Sequence, residues 1–420
     1  MSASPLAWAS IAALAIAIII SCVTALNVGF LSIALAFLVG VVWGGMKVSE
    51  LLAGFPAGLF TLLVGVSYLF SLADANGTLE KLARYFIRSV RGRAAFLPIA
   101  YFLIAFVLSS IGPGCIPITA LLAPPALLAA CEMGISPFLM SLMVIHGAIA
   151  GTLSPIAATG VVANGIVAKL GLPYMGDKIY LSMTIVSSAV AAIAFILFGG
   201  LKLLREKKAL SASQMSVEKF TPIQLLTLAG MGSLAIAVIF LNSDVGLTAL
   251  LIGIVLSIVD SKTESKAIKS MPWSTILLVT GVTVLIELMG KLGGTDLLAS
   301  GVADISTSGT IALTLSFAAA LISVYASTMG VVYPTFLPLV PRVLTKLGGG
   351  NPTTLALSII VSGSLVDASP LSTLGALALA AAPEKLDKHR LYRNLMIWGL
   401  SMCVTGSVMS WLLFSVLHLV

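Results

Sequence analysis

Two short stretches place the same chemistry inside two long apolar runs: GTLSPIAATG (residues 151–160) and VDASPLSTLG (residues 366–375). Each carries a Ser-Pro pair, Ser154-Pro155 and Ser369-Pro370, and each ends in a glycine, Gly160 and Gly375. Two further interruptions lie upstream of them, SSIGPGCIP (109–117) and YASTMGVVYP (325–334). Proline removes a backbone donor and glycine permits non-helical angles, so all four read as breaks in helices. They are rich in glycine and hydroxyls, among them Ser109, Ser110, Gly112, Gly114, Thr152, Ser154, Ser327, Thr328, Gly330, Ser369, Ser372 and Thr373, together with Asp367, and contain no Lys or Arg. Exposed helix N-termini offer N–H groups and a partial positive charge, which suits an anion. Freed carbonyls and hydroxyls suit a small hard cation such as Na⁺. An anion held without a basic side chain gains from a co-bound cation, so coupled binding of the two is the chemistry these breaks point to.

Two titratable residues need weighing. Asp367 lies in the last break, just before Ser369. A carboxylate at membrane depth is costly and usually functional; it would ligate a cation or carry a proton, or else serve as a capped structural Asp. His146, in VIHGA, sits before the first Ser-Pro break and is read either as a proton carrier or as a hydrogen-bonded buried histidine. Arg342 follows the second interrupted stretch, where it would attract anions or simply lie at the surface.

The elements that position these residues follow from composition. The 420 residues are 59% hydrophobic and only 9% charged, whereas a soluble domain carries about 25% charged residues. Apolar runs of about 20 residues, the length of a membrane-crossing helix, recur from end to end. The chain therefore reads as an all-α polytopic membrane protein. The four cysteines, Cys22, Cys115, Cys131 and Cys403, fall in apolar segments and give no disulfide framework. The first basic residue is Lys47, so residues 7–24 read as a retained first span rather than a signal peptide. No P-loop, no His-Glu-x-x-His pair and no Gly-x-Ser-x-Gly elbow is present, which argues against a nucleotide-driven pump or a hydrolase. No cofactor is expected beyond a coupling ion, and the chain is not read as an enzyme.

The echo of the Ser-Pro stretches belongs to a longer internal repeat. At an offset of 217, Pro5 matches Pro222, Val28-Gly29 matches Val245-Gly246, Gly77-Thr78 matches Gly294-Thr295, and Pro117 and Pro124 match Pro334 and Pro341. After a two-residue slip, Pro137 matches Pro352 and Ser154 matches Ser369. The halves are read as residues 1–201 and 222–420, joined by a cytoplasmic linker at 202–221. The first half has spans near 7–24, 28–46 and 57–74, a basic amphipathic piece at 78–93, an interrupted stretch at 94–132, a broken helix at 137–168 and a span at 178–200. The second repeats this order with 222–241, 245–260, 273–290, an amphipathic piece, an interrupted stretch at 309–346, a broken helix at 352–382 and a span at 394–418. The interrupted stretches read as re-entrant hairpins, since halves of about 16 residues are short for a span; two full spans each would leave the charge pattern unchanged. With hairpins each half crosses five times, so the second is inverted relative to the first.

Charge sets the orientation. The loops at 77–93, 202–220, 261–271 and 383–393 carry five, five, three and four Lys/Arg, 17 of the chain's 23. They are expected in the cytoplasm under the positive-inside rule, with both termini outward in the cell inner membrane. The net charge of +7 thus reflects membrane topology rather than nucleic-acid binding. Inverted repeats with broken helices at matching positions are the signature of a secondary transporter, whose site lies where the breaks meet.

With these residues in view, the blocks NVGFLSIALAFLVG, LLAGFPAGLFTLLVGVSYLF, NGTLEKL, ISPFLMSLMVIHGA and SPIAATGVVANGIVAKLGLP resemble the MatC-type malonate and dicarboxylate carriers. The likeness is close over residues 25–175 and weaker beyond. That family is similar to the divalent-anion/sodium symporters of the wider ion-transporter superfamily. The resemblance implies a homodimer with a scaffold and a mobile transport domain, an elevator motion, and a malonate or C4 dicarboxylate moved with Na⁺; a proton-coupled carrier or an anion exchanger is the alternative. It further implies one cation site between Ser109-Ser110-Gly112 and Thr152–Pro155, a second between Ser327-Thr328-Gly330 and Asp367–Pro370, with Thr373 nearby, and substrate between the two tips. Neither tip carries the Asn that the sodium symporters typically place there.

Overall fold

The computed structural model describes residues 4–23, 26–89, 96–205, 219–241 and 243–418. Among the described residues the regular structure is helical, with no strand. The first half runs α1 (Pro5–Val23), α2 (Val28–Ala36, continued by a π-helix Phe37–Trp43), α3 (Val48–Leu52), α4 (Ala57–Ala75), α5 (Thr78–Ser89), α6 (Leu97–Ile111), α7 (Cys115–Met133), α8 (Pro137–Thr152), α9 (Ala158–Lys169), α10 (Gly176–Leu197) and α11 (Gly200–Arg205). The second runs α12 (Pro222–Leu241), α13 (Val245–Val259), α14 (Ser261–Ser270), α15 (Trp273–Lys291), α16 (Gly294–Asp304), α17 (Ile311–Ser323), a π-helical turn (Thr328–Val332), α18 (Tyr333–Phe336) and α19 (Leu339–Lys346). It ends with α20 (Pro352–Leu365), a 3-10 turn (Val366–Ala368), α21 (Thr373–Ala380) and α22 (Lys388–Ser410), which closes as a π-helix (Trp411–Val416). Among the described residues six helical stretches are long and apolar enough to cross a bilayer, and the protein is a multi-pass membrane protein.

Matching positions in the two halves begin helices in the same way. Ser136 caps α8 by accepting from the Leu139 N–H, and Pro137 follows it. Asn351 caps α20 by accepting from the Thr353 and Thr354 N–H groups, and Pro352 follows. A polar cap with proline next to it satisfies the orphan donors and presets the first turn. Both helices then stop where the sequence breaks, at Thr152 and Leu365. The interrupted stretches differ from each other more than the repeat implies. In the first, α7 has 19 residues and spans two internal prolines, Pro124 and Pro125. In the second, the corresponding arm is divided into the π-helical turn, α18 and α19. Two elements that pattern alone left as loop are helical, α3 and α14. Of the expected linker, residues 206–218 lie outside the described residues, as do Arg91 and Arg93 of the loop at 77–93.

Packing is set by glycine at the tightest crossings. A Cβ on Gly29 of α2 would stand 2.0 Å from the Leu277 carbonyl oxygen of α15, and one on Gly281 of α15 would stand 2.2 Å from the Gly29 oxygen. The other half mirrors this: a Cβ on Gly65 of α4 would lie 2.0 Å from the Gly246 oxygen of α13, and one on Gly246 would lie 2.4 Å from the Leu62 Cα. Each half thus lays its second helix against the other half's fourth. Lipid offers apolar surface as good as any side chain, so helices associate through such close backbone approach. A second group forms around α6, α8, α10, α17, α20 and α22. There Gly147 and Gly151 of α8 meet the Phe102 and Phe106 carbonyls of α6. Ser323 of α17 donates to the Gly363 carbonyl of α20 at 2.8 Å.

Candidate functional site

The first tip is built from Gly112, Pro113 and Gly114. Gly112 at φ 153 and Gly114 at φ 80 occupy angles that a side chain disfavours, which lets α6 end and α7 begin across three residues. The tip is tied to the break between α8 and α9. The Ala158 N–H donates to the Gly112 carbonyl at 3.1 Å, and the Cys115 N–H donates to Thr152 Oγ1 at 3.1 Å. Thr152 in turn donates to Thr159 Oγ1 at 2.9 Å. Both breaks close against a glycine: a Cβ on Gly160 would stand 2.1 Å from the Ser154 carbonyl, and one on Gly375 2.2 Å from the Ser369 carbonyl. That contact is the physical reason both stretches end in glycine.

At the second tip Ser327 caps the π-helical turn by accepting from the Gly330 N–H at 3.1 Å. Thr328 donates to Asp367 Oδ1 at 2.7 Å, and Ser372 donates to the same oxygen at 2.8 Å. Ser323 stands 2.6 Å from the Thr328 hydroxyl, and Tyr333 pairs with Ser364 at 2.7 Å. A buried carboxylate is tolerable only when its oxygens are met by such donors.

These two clusters face one small cavity of about 20 Å³, walled by Thr152, Thr159, Ser327, Thr328, Asp367 and Thr373 together with apolar neighbours. Both broken helices and the second tip contribute to it, with Cys115 and Ile116 of α7 just beyond the first tip. Its volume is that of about one water or one stripped ion, far too small for a dicarboxylate. A larger chamber of about 430 Å³ lies on the other side of the first tip, within the range of small-molecule sites. Its floor is the tip and the first residues of α7 and α9, so two helix N-termini converge on it. Its opposite wall is a polar stripe on α4, Ser67, Ser71 and Asp74, with Ser270, Pro272 and Thr275 where α14 passes into α15. Cys115, Ile116, Thr159 and Met329 border both chambers.

Of the residues singled out from sequence, Thr152, Ser327, Thr328, Asp367 and Thr373 border the small cavity and Gly112 borders the large one. Others are placed elsewhere. Ser109 donates to the Ala148 carbonyl at 2.7 Å, pinning α6 to α8. Ser110 donates to the Phe106 carbonyl and meets the Tyr180 hydroxyl on α10 at 3.0 Å. The hydroxyls of Ser154 and Ser369 each accept an N–H two residues on, from Ile156 and Leu371, and so shape their own turns. Gly330 faces α15, where a Cβ would meet the Leu278 side chain at 1.8 Å. His146 is fully buried in α8; its Nε2 accepts from the Trp398 indole at 3.0 Å, and its Nδ1 lies 3.4 Å from the Ser187 hydroxyl. Because indole nitrogen only donates, Nε2 carries no proton. Arg342 pairs with Asp296 of α16 at 2.5 Å.

Sequence reasoning missed Cys115, Thr159, Ser364, Tyr333 and the α4 stripe. Ser67, Ser71 and Asp74 recur at four- and three-residue steps along an apolar helix, which places them on one face. That spacing was the available signal.

Comparison with known proteins bears on the family and the fold. Residues 5–152 match the family model for the N-terminus of dicarboxylate carrier protein MatC. No curated protein matches the chain in sequence. Among solved structures, the YdaH transporter of Alcanivorax borkumensis shares the fold with a TM-score of 0.58 at 16% identity, over 90% of this chain and 89% of that one. MtrF of Neisseria gonorrhoeae, described within a class of antimetabolite efflux pumps, shares it with a TM-score of 0.52 at 12% identity, over 90% of this chain and 84% of that one. Identities this low speak for fold alone. The protein is a multi-pass membrane transport protein, not an enzyme, and its residues 5–152 match the N-terminus of the MatC dicarboxylate carriers.

Proposed function

We propose that the protein is a secondary active carrier of small dicarboxylates, malonate or a C4 acid, driven by Na⁺ symport. The observation that carries this reading is the pairing of two chambers of unlike size across the first tip. The dianion occupies the chamber of about 430 Å³, over the N-termini of α7 and α9, whose partial positive charge favours it. The cation occupies the cavity of about 20 Å³, among the hydroxyls of Thr152, Thr328 and Thr373 and the carboxylate of Asp367. Both hydroxyl donors of Asp367 reach Oδ1, so Oδ2 is the oxygen left for the ion. Bound there, the cation offsets the dianion across a shared wall at Cys115 and Thr159, which couples the two. A proton on that same oxygen gives the second reading, a proton-coupled carrier or exchanger.

The proposal extends to topology and motion. The two halves form inverted repeats with both termini outward in the inner membrane, and the large chamber opens toward the cytoplasmic side, on which α5 and α14 lie. The group around α6, α8, α17 and α20 moves as an elevator against the group around α2, α4, α13 and α15, within a homodimer. Uptake of labelled malonate into proteoliposomes, under an imposed Na⁺ gradient in one arm and a proton gradient in the other, tests it, with succinate and malate as competitors. Accumulation under the Na⁺ gradient alone is the expected outcome. Accumulation under the proton gradient alone transfers the coupling role to a proton on Asp367, and no uptake in either arm removes the dicarboxylate assignment.

A further inference from the structure

We propose that Lys262 and Lys269 form an anion-capture subsite at the mouth of the large chamber, where a dicarboxylate is held before it enters. The proposal rests on the dianion reading above. It starts from α14, a ten-residue helix with the sequence SKTESKAIKS. Lys262, Lys266 and Lys269 recur at four- and three-residue steps, which puts them on one face. All three are exposed, and with Ser265 and Ser270 they wall a shallow concavity of about 590 Å³. Ser270 also borders the large chamber, so the basic concavity and the chamber share a rim.

The charges on this helix are sorted by direction. Glu264 is turned inward, accepting from the Tyr68 hydroxyl at 2.8 Å, and that hydroxyl is 2.5 Å from Ser257. Lys266 reaches back to α4, where its ammonium donates to the Ala75 carbonyl at 3.5 Å and acts on the Asp74 carboxylate. It therefore offsets the one acidic group that borders the chamber and would otherwise repel a dianion. Lys262 and Lys269 have no ion pair among the described residues. Their two charges are the surplus at the rim, and they equal the charge of a dicarboxylate. Among the described residues no Lys or Arg borders the chamber itself, so attraction has to act before entry. Charges at the mouth of a low-dielectric cleft raise the local concentration of an oppositely charged ligand, and salt screens the effect.

The test uses the full-length protein in nanodiscs, with binding of labelled malonate and succinate measured at rising ionic strength. One set of discs contains only zwitterionic lipid and a second contains anionic lipid. In zwitterionic discs at low salt, the Lys262→Gln/Lys269→Gln variant is expected to bind about three- to tenfold more weakly than wild type, with the two converging at about 0.5 M salt. Lys169→Gln/Lys178→Gln, an equal charge change at the end of α9 and the start of α10, is expected to leave binding unchanged. Equal affinity of variant and wild type at low salt overturns the capture subsite while leaving the dicarboxylate reading intact. A difference seen only in anionic discs overturns it in favour of a lipid headgroup on the same lysines. A weakening that persists at high salt, or that accompanies a lowered melting temperature, overturns it in favour of a structural role for α14. Wild type that binds neither dianion overturns the substrate reading and this subsite together.

Discussion

Asp367 and Thr152 hold matching positions in the two halves, yet one is a carboxylate and the other a hydroxyl. Thr152 spends its oxygen within its own half, accepting from Cys115 and donating to Thr159. Asp367 accepts from Thr328 and Ser372 and brings the one negative charge to the cavity. The two halves are thus alike in backbone and unlike in charge, and the proposed coupling ion is assigned to the second for that reason. Asp367→Asn keeps an oxygen for both hydroxyls and the same volume while removing that charge. Because even outer-shell changes at ion sites cost about 10–100-fold in affinity, gradient-driven accumulation should fall about tenfold or more. Dianion binding measured in the absence of Na⁺ should stay within a few-fold on the same preparations, since the coupling that Asp367 supplies acts only through the bound cation. Retained accumulation in Asp367→Asn would remove the carboxylate from coupling. Much of this chemistry was legible in residue types: Thr328, Asp367 and Thr373 were singled out and do share a cavity. Direction was not legible. Ser109, Ser110, Ser154 and Ser369 have the same side chain as Ser327, but four of the five hydroxyls turn to neighbouring carbonyls, hydroxyls or turn N–H groups away from the cavity. A hydroxyl beside a helix break has several partners in reach, and only the packing of α6, α8 and α10 decides among them.

At the scale of the element, the first tip is where the moving and static parts of the proposed cycle touch. Gly112 lies under the Phe70 ring of α4, so close that a Cβ would stand 1.9 Å from it, and its φ of 153 already excludes a side chain. Gly330 at the second tip lies in the same way against Leu278 of α15. Each tip therefore meets a helix of the other group through a residue with no side chain, as a sliding contact requires. Gly112→Ala combines a clash with a strained backbone, at about 1–3 kcal/mol each. Transport normalised to folded protein is expected to fall at least about fivefold for that strain. Gly58→Ala on α4, which meets no atom within 4 Å, should leave transport unchanged. Normal rates in Gly112→Ala would show that the tip yields freely. Helix boundaries around the breaks were readable, since proline, glycine and capping residues act locally: α8, α9 and α20 begin or end where the punctuation stands. The lengths of the interrupted arms were not, because α7 carries Pro124 and Pro125 within a continuous helix. Neighbouring helices and local adjustments re-satisfy the backbone groups that such prolines free, and sequence does not show those neighbours.

The whole molecule is held by a reciprocal embrace that no single half contains. Gly29 and Gly246 match across the repeat, and each brings its helix against the partner half, Gly29 to α15 and Gly246 to α4. A chain whose halves merely sat side by side would not need glycine at both positions, because ordinary side chains pack well at the usual helix separation of about 8–10 Å. Here backbone touches backbone, so an added methyl has nowhere to go: the obstructing atoms are the Leu277 carbonyl for one and the Leu62 Cα for the other. Overpacking of this kind costs about 1–3 kcal/mol per site. Gly29→Ala and Gly246→Ala should therefore lower the melting temperature of the detergent-solubilised protein by similar amounts. The effects of sites that share no partner usually add to within about 0.5 kcal/mol, so the double variant should lose the sum. Unequal single effects would mean that one crossing carries the fold and the other follows it. A double variant no worse than either single would mean that the two crossings form one cooperative unit, in which loosening either already loosens both. Near-equal, additive losses are what two equivalent and independent crossings require, and two such crossings supply a fixed frame on both sides of the cavity where the broken helices meet.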